Sequence, residues 1–182
     1  MIDFTAINKT LREVIITRTG IDAKRVIRAK STGAKPKGVF ASLDTLRIRP
    51  SAGYVTNKFY DATTEEMVYQ THTDVIMRLA VRNGNPDNET DQANVYNLCS
   101  HLHKAFVEDA VLSYIQEFAS ASVRSVEAIR PLSDFLPTGY GEVCQFDITL
   151  TVVDETRESQ TTIEQIVVDG EVLTQAGDDV SE

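Results

Sequence analysis

The three histidines and two cysteines are the residue types that point first to chemistry. His101 and His103 fall two apart in a run of helical periodicity, roughly 200° apart around the axis, so they cannot close on one metal as an i, i+4 pair does. His72 lies in a different element with no obvious partner in the sequence. Cys99 and Cys144 are too few for a four-thiolate zinc site or a disulfide scaffold, and each reads as a small buried apolar residue. Gly139-Tyr140-Gly141 follows a proline and precedes a strand, the wrong order for a phosphate-cradling strand-to-helix turn, so it reads as a turn entering that strand. There is no Walker sequence, no G-x-S-x-G elbow and no kinase set. Carboxylates are plentiful, from Asp87, Glu89 and Asp91 to Asp154, Glu155 and Glu158, but they fall in loops and at helix caps, where solvation or capping accounts for them. A catalytic pair needs one of them in a desolvating pocket. The expectation is a protein with no catalytic turnover, no cofactor and no bound metal.

Charge is the stronger signal. Residues 1–60 hold 12 Lys and Arg against four acids (Asp3, Glu13, Asp22, Asp44), or +8, and residues 61–182 hold 6 against 23, or -17, which together give the net -9 of the 182-residue chain. Such asymmetry suits a nucleic-acid patch, an acidic tail, a pair of solvated faces, or a subunit whose basic face packs on the acidic face of its neighbour. The absence of tryptophan and 7% aromatics speak against a base-stacking surface. No window approaches the roughly 18 consecutive apolar residues of a membrane span, and MIDFTAINKTLREV lacks the apolar core of a signal peptide, so a cytosol-like compartment is expected.

The elements that carry these residues are legible from periodicity. Asp3 or Thr5 caps a first helix with Phe4, Ile7, Leu11, Val14 and Ile15 on one stripe and Gly20 at its C′ position. KRVIRAKS and TLRIR read as short strands separated by STGAKPKG, giving a long loop or a flexible hairpin. A strand beginning near Glu66 sets Val75, Met77, Leu79 and Val81 on one face against Ile76, Arg78, Ala80 and Arg82, and stops at Asn83-Gly84-Asn85-Pro86. Asp91 caps a second helix, in which Val95, Leu98, Leu102, Ala105 and Phe106 recur at helical spacing, and Val107 to Phe118 forms a third amphipathic run. Val123 to Ile129 reads as a strand. From Glu142 to Asp154, Cys144, Phe146, Ile148, Leu150 and Val152 face one way and Gln145, Asp147, Thr149 and Thr151 the other. Ile163–Val168 and Glu171–Leu173 flank Asp169-Gly170 as a tight hairpin.

Two apolar strand faces and two apolar helix stripes need each other for burial. The expected architecture is therefore one α+β domain over residues 1–182, a mainly antiparallel (mixed) β-sheet with α-helices packed on one face and residues 174–182 as an acidic, flexible C-terminal tail.

The stretch QTHTDVIMRLAVRNGNPDNETDQANVYNLCSHLHKAF, a strand ending in a polar turn that leads into a helix, resembles the central segment of phage neck or tail terminator proteins. The capped first helix, the basic AKPKGVFASLDTLRIR and the later SVRSVEAIRPLSDFLPTGYGEVCQFDITLTVV resemble the flanks of that family, over residues 1 to 155. Gly38-Val39-Phe40 departs from it, where a second Pro and a Tyr are expected. The resemblance implies a structural virion protein, assembled in the host cytoplasm. It implies a hexameric ring that caps the head-proximal end of a tail tube, stops its polymerisation and joins a head-tail connector or stopper protein, with DNA passing through the lumen without specific binding. Another neck, connector or tail-completion protein is the nearest alternative, and a nucleic-acid-binding module or a small hydrolase are more distant ones. A closed ring needs two different patches on each subunit, so Lys35, Lys37, Arg47, Arg49 and Lys58 are expected at a contact with the acidic C-terminal third of a neighbouring subunit or with the tail tube.

Overall fold

The computed structural model describes residues 2–29, 36–50, 57–84, 89–136, 139–159, 165–168 and 171–174; at 89–93, 133–136, 139–141 and from 165 on, only the backbone is described. The elements in chain order are α1 (Phe4–Thr19), a single 3-10 turn (Ala23–Arg25), β1 (Val26–Arg28), β2 (Val39–Pro50), β3 (Asn57–Asp61) and β4 (Glu66–Asn83). They continue with α2 (Glu89–Ala105), α3 (Asp109–Ala119), β5 (Ala121–Val126), β6 (Arg130–Leu136), β7 (Gly139–Ser159), β8 (Gln165–Val168) and β9 (Glu171–Thr174). Seven strands form one sheet in the order β1-β2-β4-β7-β5, with β3 also on β4 and β6 also on β7, while β8 and β9 pair separately. Among the described residues only β1 and β2 run parallel. This is the expected α+β domain with a mainly antiparallel, mixed sheet.

The long central strands β4 and β7 pair without a break from Glu66–Ser159 to Arg82–Val143. Because side chains alternate with period two, that register stacks Val75, Met77, Leu79 and Val81 beside Leu150, Ile148, Phe146 and Cys144 on one face. All of these are 1% exposed or less. The three helices cover that face: Ile7, Leu11 and Ile15 from α1, Val95, Cys99 and Leu102 from α2, and Val111 and Ile115 from α3 complete the core. Phe106 and His103 stand edge-on to Phe146, with ring centroids 5.9 and 5.1 Å away. Tyr96 on α2 donates to the Glu142 carboxylate on β7. That bond, with burial, pushes the phenol up to about 12.

Asp3 caps α1, its Oδ1 accepting from the Thr5 and Ala6 amides at 2.8 and 2.9 Å. Gly20 ends the helix with φ +68°, a left-handed conformation that a side chain would strain. Gly84 acts by size, since a Cβ there would sit 2.5 Å from the Pro36 carbonyl oxygen. Its amide donates to the Gly38 carbonyl at 2.9 Å, tying the start of β2 to the end of β4.

Several expectations are corrected. Asp91 lies inside α2, which begins at Glu89, and so is not its cap. The two basic segments form no hairpin: β1 runs parallel to β2, and β2 begins at Val39 because Val39, Ala41 and Leu43 face the core, a pattern blurred by small and charged neighbours. The strand expected at Val123–Ile129 is β5, Ala121–Val126. Arg130–Leu136, to which the periodicity assigns no element, is strand β6 at the sheet edge, where the missing amide of Pro131 breaks no inner ladder. Its pairing with Gly139–Gly141 starts β7 earlier than Glu142 and makes Gly139-Tyr140-Gly141 strand, while the other end of β7 continues past Asp154 to Ser159. The short β3 had no counterpart in the sequence reading. The Asp169-Gly170 turn, Asn85-Pro86 and residues 175–182 lie outside the described residues.

Replacing Leu79 or Ile148, both fully buried, with Ala is expected to cost about 2–5 kcal/mol. Chemical denaturation checks this, and an unchanged midpoint in both variants would place the core elsewhere.

Candidate assembly surface on the open sheet face

The face of the sheet opposite the helices carries the other half of the same alternation. On β4 it presents Asp74, Ile76, Arg78, Ala80 and Arg82, and register sets Thr151, Thr149, Asp147, Gln145 and Val143 of β7 beside them. Two carboxylates sink into this surface. The Asp74 side chain is 1% exposed and accepts from Arg124 at 2.9 and 3.2 Å and from the Thr151 hydroxyl at 3.0 Å, with Arg49 at 3.7 Å. Asp147 accepts two bonds from Arg78, at 2.8 and 3.1 Å, and a further one from Arg130. Burial pushes the Asp147 carboxyl up, but the hydrogen bonds from Arg78 and Arg130 outweigh it and hold the group below the usual 3.8. The same bond raises Arg78. Around these pairs lies an open depression of about 390 Å³ lined by Arg49, Asp74, Ile76, Arg124, Arg130 and Asp147 among others.

Two β-bulges border this face, and the one in β2 turns its arginines onto it. Up to Thr45, β2 pairs so that its odd residues face the helices; the register then shifts, and Arg47 lies beside Ile76 and Arg49 beside Asp74. Without the extra residue, Leu46, both arginines would lie on the helix side. On the far side of the sheet β5 shifts between Val123 and Ser125, leaving Arg124 as its extra residue, with Ser125 beside Thr149. Since Ile76 pairs with Thr149, both bulges flank the same row of the sheet. Bulges re-aim side chains in this way and concentrate at functional surfaces.

The five basic residues singled out in the sequence are not brought together. Arg47 and Arg49 are neighbours on the open face. Lys37 is exposed just before β2, and the ten residues from Val39 to Arg49 span roughly 33 Å. Lys58 sits on β3 with its ammonium 5.0 Å from the Tyr69 ring centroid. Lys35 lies outside the described residues. Sequence reading missed Arg78, Arg124 and Arg130 and the two aspartates they hold. The polar face of QFDIT and the Asp74/Arg78 spacing carried part of that signal, whereas the bulges leave no mark in the sequence.

Beyond the core, which stops at Val75 and Val152, the outer halves of β4 and β7 continue with β3 as a three-stranded arm. Arg157 reaches Asp61 at 3.2 Å and Glu66 at 3.5 Å, and Tyr69 donates to Glu158 at 2.9 Å. The arm and its base also expose Ile48, Phe59, Tyr60 and Val153.

The cysteines and His103 lie away from this depression. Cys99 and Cys144 are buried. Burial pushes both thiols up, with their mutual contact raising Cys99 further and partly offsetting the effect on Cys144. His103 Nε2 lies 3.0 Å from the Glu127 carbonyl oxygen. Among the described residues no group of three or more His, Cys, Asp or Glu side chains could hold a metal ion, and no helix is long and apolar enough to cross a membrane.

Phe40, Ser42, Ala80, Val143 and Gln145 on that face are buried, so a sheet covered by helices on one side offers on the other an accessible, arginine-lined depression around Asp74 and Asp147. The sequence profile of the phage neck terminator protein family matches residues 5–176, and the chain belongs to that family. Comparison with curated proteins finds no sequence match. Among solved structures, the sheath/tube terminator of an extracellular contractile injection system, PVC, seen by cryo-electron microscopy in its extended state, is similar with a TM-score of 0.50 and 10% identity. The alignment covers 97% of this chain and spans 65% of the length of that one, a likeness of fold.

Asp147 supplies a test of the ion-pair lattice. Its folded pKa lies below the unfolded one, so its stabilisation is complete above about pH 4 and is lost as pH falls through the folded value. Urea midpoints between about pH 2 and 6 are expected to show an acid limb that Asp147→Asn flattens. An identical limb in the variant would mean the pairs contribute nothing.

Proposed function

We propose that this protein caps the head-proximal end of a phage tail tube, ends tube polymerisation and presents the surface to which the head connector or stopper joins. The observation that carries this reading is membership of the neck terminator family over residues 5–176. In this reading copies of the chain close into a ring, expected to be a hexamer, within the virion neck after assembly in the host cytoplasm. Its role is structural and involves no catalytic turnover. DNA passes through the lumen without specific binding, a behaviour that the -17 balance of residues 61–182 favours by repelling phosphates.

The geometry supports such a role because ring closure by rotation needs two unlike patches per subunit. The arginine-lined open face and the arm with its exposed Phe59, Tyr60 and Val153 are two such patches. Arg47 and Arg49 belong to the first of them. Lys58 belongs to the arm, and Lys37 to the opposite end of β2, so they serve separate contacts with a neighbour or with the tube.

Phage lacking this protein, viewed by electron microscopy, are expected to give unjoined heads and tails of uncontrolled length, both restored by supplying the protein. Tails of normal length joined to heads in its absence would contradict the proposal.

A further inference from the structure

We infer that the open sheet face binds the acidic C-terminal stretch, residues 158–182, of a second copy of this chain. The inference deepens the ring reading by naming the two patches, and it rests on that reading for the closure of the ring.

The face is layered. Carboxylates lie below, Asp74 at 1% and Asp147 at 13% side-chain exposure, and guanidiniums above, Arg49, Arg124 and Arg130 at 50, 54 and 48%. A partner therefore meets arginine first. Half-exposed guanidiniums above buried acids offer planar forks to which the carboxylates of a partner are matched.

The chain itself contains the complementary segment. Residues 158–182 hold seven acids (Glu158, Glu164, Asp169, Glu171, Asp178, Asp179, Glu182) and no Lys or Arg. Within it, β8 and β9 pair with each other in a two-stranded sheet among the described residues, and a two-stranded hairpin gains stability when a surface supports it. This segment starts at the far tip of the arm, where Ser159 pairs with Glu66, eight positions along β4 from Asp74. Those eight positions span about 27 Å. With β8 and β9 kept as a hairpin, the 13 other residues that follow Ser159 reach up to about 45 Å when extended, enough to cross onto an adjacent subunit. An arm tip that sends out acids and a sheet face that presents arginines form a head-to-tail pair. Phosphates of DNA would also suit arginine, but the acidic remainder of the chain opposes their approach.

The test is sedimentation equilibrium of the full chain at low and high salt, in wild type, Arg47→Glu, Asp178→Arg/Asp179→Arg, and the combination of all three. Arg47 is exposed and faces Ile76 across the strands, so its reversal spares the buried aspartates; thermal melts confirm that each variant folds. Expected are salt-weakened self-association in the wild type, weakening of about tenfold or more in each charge reversal, and recovery in the combination. Unchanged association in either reversal, failure of the combination to recover, or a wild type that stays monomeric at low salt would overturn the inference. Cross-linking that joins the tail to the face of its own subunit, or salt-sensitive binding of duplex DNA that Arg47→Glu abolishes, would overturn it as well. None of these readings needs a tail tube, so the inference can fail while tube capping stands.

Discussion

The register between β4 and β7 is the constraint on which the rest of the molecule depends. It runs unbroken from Glu66–Ser159 to Arg82–Val143, and because side chains alternate, it sorts every residue of both strands to one face or the other. A slip of one position would drive Asp74, Arg78 and Asp147 into the helix layer and expose Leu79 and Ile148. The apolar face fixes the register, since each large side chain it buries stabilises the fold by about 1.5–3 kcal/mol. The polar face inherits its geometry from that choice. Arginines and aspartates meet in the right rows because the core behind them permits no other pairing.

The two faces therefore divide the work. Half-exposed ion pairs contribute little to stability, about 0 to 1 kcal/mol each, so the arginines are free to be arranged for a partner. Asp74 is the exception, a carboxylate with 1% exposure whose burial depends on Arg124 and Thr151, and removing a partner from a buried charge costs about 3–5 kcal/mol. The bulges at Leu46 and Arg124 act at the same row from opposite edges: the first turns Arg47 and Arg49 outward, and the second keeps Val126 on the core side after Arg124.

The parts of the fold legible in the sequence were those with long, clean periods: α1 with its Asp3 cap and Gly20 stop, the apolar faces of β4 and β7, and the third helix. Elements whose pattern is set by neighbours were not. β1 is three residues long and exists only as a partner to β2, β3 is short and its Phe59 and Tyr60 do not alternate with polar residues, and β6 contains a proline that local rules assign to a loop. The candidate site was half legible. Arg47 and Arg49 stood out by charge, but charge along the chain suggested one basic segment, whereas Lys37, Lys58 and the two arginines lie on different parts of the sheet. Arg124 and Arg130 come from an acidic half of the chain, and only the fold brings them to Asp74 and Asp147. The family resemblance rested on the order of elements, which the profile match over residues 5–176 bears out.

The central claim is that the open face is where subunits meet. The measurement that tests it most directly is a cryo-electron microscopy map of this protein assembled at the end of a tail tube. The account predicts that Arg49, Arg124 and Arg130 are covered by the adjacent subunit, with its carboxylates within about 4 Å of their guanidiniums. A ring held together through α1 and α3, with the open face bare to solvent or to the lumen, would contradict it.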